Sequence, residues 1–228
     1  GRMVRYRSAE NVVREIDEIV NKYSIRCITI RDDTFTLDNK RAQRICDLII
    51  EKGLHISRHV DTRADCITES LVDKMKKAGC VNVSIGIESG SDRILQYVKK
   101  GETTKTIAAG IKIFKKYGIR VNAFIMMGFP EETKEEGLQT IKFSTSLGVD
   151  SLILSILTPY PGTELFDSVR DRIDLDSYFS RTLTYFAPQI QLSEVPVKEL
   201  VEIKKKALKR FYTPIRLLRI AKTIRSIS

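Results

Sequence analysis

This 228-residue chain has no uncharged apolar run of the roughly 18 residues that a membrane-spanning helix needs. Its opening residues, Gly1-Arg2-Met3-Val4-Arg5, do not read as a secretory signal, so a cytoplasm with reduced cysteines is the expectation. Cysteine itself is scarce and scattered. Cys27, Cys46, Cys66 and Cys80 stand 19, 20 and 14 residues apart, and none forms C-x-x-C or C-x-x-x-C-x-x-C, which excludes a local zinc or iron–sulfur motif built on that spacing. A glycine-rich phosphate loop is also missing, and no lysine stands in an evident nucleophile context, which weighs against an α/β barrel enzyme acting on a phosphorylated substrate.

What is present is an ordinary globular composition, 42% hydrophobic and 30% charged, long enough for one domain with a substantial core or a domain with an appendage. The 39 Lys and Arg against 29 Asp and Glu leave a formal charge of +10, but the excess is local. Residues 198–228 hold ten Lys or Arg and two Glu, so the body of the chain is nearly balanced and a nucleic-acid reading concerns the tail alone.

A unit of helix, glycine and short apolar strand repeats along the chain. Ser8 caps a helix over residues 9–22, before a first strand at Ile25–Arg31. Asp38 caps a helix through Ile45 and Ile49 that stops at Gly53 before a strand at Leu54–Val60. Thr68, Thr104 and Thr133 open further helices, stopped by Gly79, Gly118 and Gly148; strands at Val81–Ile87, Ile119–Met127 and Leu152–Leu157 follow. Strands alternating with helices of this length imply parallel pairing, either in a doubly wound sheet or in part of a (β/α) barrel. In either fold the polar clusters Asp32-Asp33-Thr34, Asp61-Thr62-Arg63, Glu88-Ser89-Gly90, Gly128-Phe129-Pro130-Glu131 and Thr158-Pro159-Tyr160-Pro161-Gly162 share the face where ligands bind.

The same clusters carry a resemblance. Asp61-Thr62-Arg63-Ala64-Asp65, Met75-Lys76-Lys77-Ala78-Gly79-Cys80, Ile85-Gly86-Ile87-Glu88-Ser89-Gly90-Ser91, Gly128-Phe129-Pro130-Glu131-Glu132-Thr133 and Thr158-Pro159-Tyr160-Pro161-Gly162-Thr163 resemble, in this order, the radical SAM superfamily, most closely the group often found with a cobalamin-binding domain. The resemblance covers roughly residues 1–170 and implies an α/β fold, a partial (β/α)6 TIM-like barrel, with a C-terminal helical extension. Residues 171–195 are expected to connect, and 196–228 to form a basic amphipathic extension. In the family the first strand leads into a C-x-x-x-C-x-x-C loop that holds a 4Fe-4S cluster. This chain has no such loop, so it is expected to lack that first strand and to be a piece of a longer enzyme whose cluster-binding segment lies upstream, with the cobalamin-binding domain that the group often carries as a further expected partner.

The resemblance also implies roles, each beside a plainer one. Asp32 and Asp33 would face the amino group of S-adenosylmethionine, or simply serve a turn. Glu88 would meet the ribose, or form a structural ion pair; Gly86 would permit close backbone approach, and Ser89 is grouped with them. Gly128, Phe129 and Pro130 would line the adenine, or make an ordinary strand-to-helix turn with Glu131 at the helix start. Thr158 and Tyr160 would shape the base pocket, or belong to a rigid loop. Arg63 would pair with the methionine carboxylate, or with Asp61 or Asp65. His55 and His59, four apart on one strand face, read as structural histidines before metal ligands. The implied activity is reductive cleavage of S-adenosylmethionine with an electron donor, an oxidoreductase-type first step, followed by radical or methyl-transfer chemistry on a small-molecule substrate. A non-catalytic module binding RNA or a partner through the basic C-terminal helix stays open, as does an α/β barrel enzyme of another class.

Overall fold

A computed structural model describes residues 4–173 and 191–225. Five parallel strands, β1 (Cys27–Ile30), β2 (Ser57–Thr62), β3 (Cys80–Glu88), β4 (Arg120–Met127) and β5 (Ser151–Ile156), lie side by side in chain order. That order decides between the two architectures. A doubly wound sheet reverses direction and places helices on both faces, whereas right-handed crossovers between successive neighbours put every helix on one face and curl the sheet into part of a barrel.

The helices are α1 (Ala9–Tyr23), α2 (Asn39–Glu51), α3 (Glu69–Lys77), α4 (Asp92–Tyr97), α5 (Thr104–Lys116), α6 (Lys134–Ser146), α7 (Glu164–Val169), α8 (Val197–Phe211) and α9 (Pro214–Arg225). Ser8, Asp38, Thr68 and Thr133 cap theirs as the sequence implies, each side chain accepting an amide of the first turn. α5 differs: Thr103, not Thr104, is its cap, because Thr103 and Thr106 satisfy each other's backbone in a capping box. α4 and α7, six residues each, are too short to show a period in the sequence.

Strand limits also shift. β1 is shorter than expected, with Ile25 exposed. β2 starts at Ser57 because Leu54 and Ile56 are spent in the turn that ends α2, Leu54 N–H donating to Ile49 O and Ile56 N–H to Leu54 O. His55 therefore lies outside β2 and does not share a strand face with His59. Gly79 brings α3 close to this turn: at φ +90°, a Cβ there would sit 2.2 Å from Ile56 O.

One apolar cluster fills the space between sheet and helices, taking Ile45 and Ile49 from α2, Leu71 and Met75 from α3, and alternate residues of the strands. Leu200, Ala207 and Phe211 of α8 belong to the same cluster, so α8 docks by its apolar stripe, whereas Ile215, Leu217 and Leu218 of α9 are exposed. The Tyr212 hydroxyl accepts Leu152 N–H at 3.0 Å and donates to Leu152 O at 2.9 Å, occupying backbone groups on the free edge of β5. Most of the expected connecting segment, residues 174–190, lies outside the described residues.

Candidate functional site

The C-terminal ends of the strands form a mouth, and its two sides differ in chemistry. On the β2–β3 side charges interlock. Arg63, just past β2, holds Asp65 with two nitrogens at 2.9 and 2.6 Å and donates to Lys100 O at 3.0 Å. The Asp65 bonds and the neighbouring Glu102 keep Arg63 protonated, its pKa raised. Glu102 has a side chain with 0% exposure; it accepts Asp65 N–H at 3.1 Å and lies 3.7 Å from Arg63 and 3.5 Å from Lys100.

Lys100 also stands 3.5 Å from Glu88. Glu88 closes β3 at φ +60°, where the β3–β4 register shifts between Gly86 and Glu88; this bulge turns its carboxylate to the mouth. Gly86 completes the arrangement: a Cβ there would lie 2.3 Å from Glu88 Oε1 and 3.0 Å from Lys100 Nζ. Ser89 lies beneath, fully buried, its hydroxyl 3.1 Å from Thr140 Oγ1 on α6 and accepting Ser91 N–H at 3.1 Å.

On the β4–β5 side the surface is apolar. Met126, Ile156, Leu157, Thr158, Tyr160 and Leu165 line a cavity of ≈ 320 Å³. The Thr158 hydroxyl oxygen is buried there without a hydrogen-bond partner among the described residues. The loop beside it, Gly128-Phe129-Pro130, is itself buried. Gly128 has φ +88°, and its N–H donates to Glu132 Oε2 at 2.5 Å, with Phe129 N–H at 3.3 Å from the same oxygen. Glu132 is 1% exposed, and burial pushes its pKa up to about 7 despite those two amides.

Asp32 and Asp33 are the outliers. Asp32 pairs with Arg41 of α2 at 3.2 Å, and Asp33 is exposed, its carboxylate making no hydrogen bond or ion pair among the described residues. Thus the structure brings Arg63, Gly86 and Glu88 together, places Thr158 and Tyr160 around one cavity, and leaves Asp32 engaged with α2. Lys100, Glu102 and Glu132 escape sequence reasoning, since their burial and pairing are tertiary. Glu136 had a signal in the Thr133-x-x-Glu136 capping box; it also accepts from Ser91 at 2.8 Å and from Arg93 at 2.9 and 2.6 Å.

A family model described as the radical SAM superfamily matches residues 1–144. The chain belongs to that superfamily. It is 36% identical over 212 residues to an uncharacterized methyltransferase of Pyrococcus horikoshii, taking in 93% of this chain and 46% of that protein. It is 27% identical over 173 residues to the anaerobic magnesium-protoporphyrin IX monomethyl ester cyclase of Rubrivivax gelatinosus, covering 75% of this chain and 31% of the cyclase. Among solved structures, the radical S-adenosylmethionine methyltransferase TsrM of Kitasatospora setae superposes with a TM-score of 0.67 at 19% identity, over 72% of this chain and 32% of TsrM; at that identity the likeness is one of fold. This radical SAM chain spans less than half the length of each of these proteins.

Both sides of the mouth fit S-adenosylmethionine. The Glu88 carboxylate, seated where a side chain at Gly86 would stand, suits a hydroxylated sugar, and an apolar cavity with a hydroxyl unpaired among the described residues suits a purine.

Proposed function

We propose that this chain is the cofactor-holding portion of a radical SAM enzyme whose chemistry is methyl transfer, with a small-molecule substrate and an external electron donor. The observation that carries the reading is the two-sided mouth, a charged clamp at Gly86, Glu88 and Lys100 facing an apolar cavity at Thr158. The methyltransferases among the relatives favour methyl transfer over an oxidoreductase outcome. When bound, S-adenosylmethionine with a reduced 4Fe-4S cluster supplies the reactive group, and cobalamin from another domain would serve as methyl carrier.

The chain's own residues bind and orient. Glu88 accepts hydrogen bonds from sugar hydroxyls, and Gly86, having no side chain, leaves room for that carboxylate and for Lys100 to sit over the strand. Lys100, held between Glu88 and Glu102, offers its ammonium to the methionine carboxylate. Thr158 gives the base a hydroxyl, while Phe129 and the residues around the cavity keep water from it.

Two of the four cysteines do not suit a cluster. Cys46 and Cys80 are buried, and burial raises both thiols, Cys80 to about 11. On this reading the cluster's ligands come from outside residues 1–228. The test uses the full chain: reconstitution with iron and sulfide should give no stoichiometric 4Fe-4S absorbance, and calorimetry should detect weak S-adenosylhomocysteine binding that Gly86→Val abolishes. Stoichiometric cluster absorbance, or binding untouched by Gly86→Val, would overturn the reading.

A further inference from the structure

With the helices on one face, every second strand residue lies on the other, and the register sorts these into rows across the sheet. Asp61, Ser84, Asn122 and Ser151 are consecutive register partners on β2, β3, β4 and β5. One step toward the mouth, Gly86, Phe124 and Ile153 are partners in the same way. The first row is polar throughout, while in the second Phe124 is 39% and Ile153 37% exposed.

The polar row is organised. Ser151 Oγ donates to Asn122 Oδ1 at 2.7 Å, and Ser84 Oγ lies 2.7 Å from His59 Nε2, which is 3.5 Å from Asp61. The Asn82 amide stands 3.4 Å from His59 Nδ1 on the other side of the ring. Burial keeps the imidazole below its ordinary pKa, hence neutral, against the pull of Asp61; Arg31 and Arg120 act in the same sense as burial.

Two groups have capacity left over. Among the described residues the Asp61 carboxylate has only the looser partners His59 at 3.5 Å and Arg31 at 3.6 Å, and the Asn122 amide nitrogen makes no hydrogen bond. They stand two strands apart, roughly 10 Å. Allowing roughly 3 Å for each hydrogen bond, a ligand bridging them carries its donor and acceptor roughly 4 Å apart. A wall that was merely wet would not leave a phenylalanine and an isoleucine adjacent and exposed, and a wall meant for packing would not carry an aspartate.

We infer that this inner wall binds an amphipathic small molecule, its apolar body against Phe124 and Ile153 and its polar end giving a donor to Asp61 and an oxygen acceptor to Asn122, as an α-amino acid end does. The inference rests on the proposed function in taking that molecule as the substrate. The apolar row is the one nearer Gly86 and Glu88, so the carbon offered to the cofactor belongs to the apolar body, and the polar end is the handle.

The chain has two histidines, which makes the test simple. His59 lies in the wall and His55 in the turn before β2, a built-in control. Titrating L-phenylalanine into the full chain should shift the His59 imidazole signals saturably and leave His55 still. Phenethylamine, lacking the carboxylate, and 3-phenylpropionate, lacking the amine, should each bind about tenfold more weakly, the worth of one charge-assisted bond. Asn122→Ala and Phe124→Ala should weaken L-phenylalanine about tenfold while the remaining spectrum stays that of the folded protein. Asp61→Asn should narrow the gap between L-phenylalanine and 3-phenylpropionate. No shift at His59, equal shifts at both histidines, or indifference to Asn122→Ala would overturn the inference. S-adenosylhomocysteine titrated into the same samples separates the two readings. If it fails to bind while the L-phenylalanine response persists, the cofactor reading falls and the wall stands; the reverse result leaves the cofactor site and removes the wall.

Discussion

The loops that follow β3 and β4 reach the same mouth and are held in opposite ways. The β3 loop is tied down by side chains from elsewhere: Ser89 to Thr140, and Ser91 and Arg93 to Glu136. The β4 loop takes one bond from outside, Arg93 to Glu131 O at 2.7 Å, and is otherwise tied by its own carboxylate, Glu132, which captures the Gly128 and Phe129 amides with no cation in hydrogen-bond reach among the described residues. Glu132 and Glu136 are four residues apart, yet their acidities diverge. Burial pushes Glu132 up to about 7, while the Arg93 guanidinium holds Glu136 down at about 2. A buried carboxylate bonded only to amides keeps its proton; one bonded to a cation gives it up.

The largest expected effect comes from that divergence. Glu132 has a folded-state pKa above its unfolded value of 4.5, so between pH 4.5 and about 7 the unfolded chain has lost a proton that the folded chain keeps. Stability from this group is therefore full below pH 4.5 and falls as pH rises to about 7, by an amount of order 3 kcal/mol. Glu132→Gln should abolish that fall. Urea unfolding of both proteins at pH 4.5, 5.5, 6.5 and 7.5 gives the answer, and parallel profiles would show that Glu132 is not held as described.

Glu136 has the opposite sign. Its pKa is depressed, so its contribution is present above pH 4.5 and fades as pH falls toward 2. Glu136→Ala also removes the capping-box bond to Thr133 N–H and the Ser91 contact. Arg93 is half-exposed, which limits the ion pair, and the total loss should be about 2 kcal/mol at pH 7. At pH 3 the loss should shrink, as unfolding curves at the two pH values would show; a loss that grows on acidification contradicts the pairing with Arg93.

How much of this was legible in the sequence depends on how far each feature reaches. Caps such as Asp38 and Thr133 bond within one helical turn, so residue type and spacing reveal them. The five strand ends and their polar clusters are legible for the same reason, each following a local apolar run. Glu102 is different: Lys100 is its near neighbour in the α4–α5 connection, but Arg63 comes from the end of β2, and nothing in Gly101-Glu102-Thr103 marks that glutamate as enclosed. Arg58 is similar, a fully buried arginine in β2 that reads in the sequence as a polar position facing water. The bulge at Glu88 could not be read either, because it exists only as a mismatch of register with β4.

The smallest effects concern the backbone of the β4 loop. Gly128 and Glu131 both have positive φ, +88° and +62°. At Gly128 glycine meets the demand, and a Cβ would stand 3.1 Å from Leu200 of α8 and 3.3 Å from Ile156. Gly128→Ala should cost about 1–2 kcal/mol. At Glu131 an ordinary residue is forced into the same region, so Glu131→Gly should gain a few tenths of a kcal/mol even after its loose approach to Arg93 at 3.9 Å is lost. If the Glu132 carboxylate is what bends the loop, by drawing the Gly128 and Phe129 amides back over the turn, the Glu131→Gly gain should vanish in a Glu132→Ala background. A double-mutant cycle by urea unfolding measures this directly. A gain that persists without Glu132 would place the strain in the strand-to-helix geometry itself, and the two loops would then differ in their anchors but not in what the anchors do to the backbone.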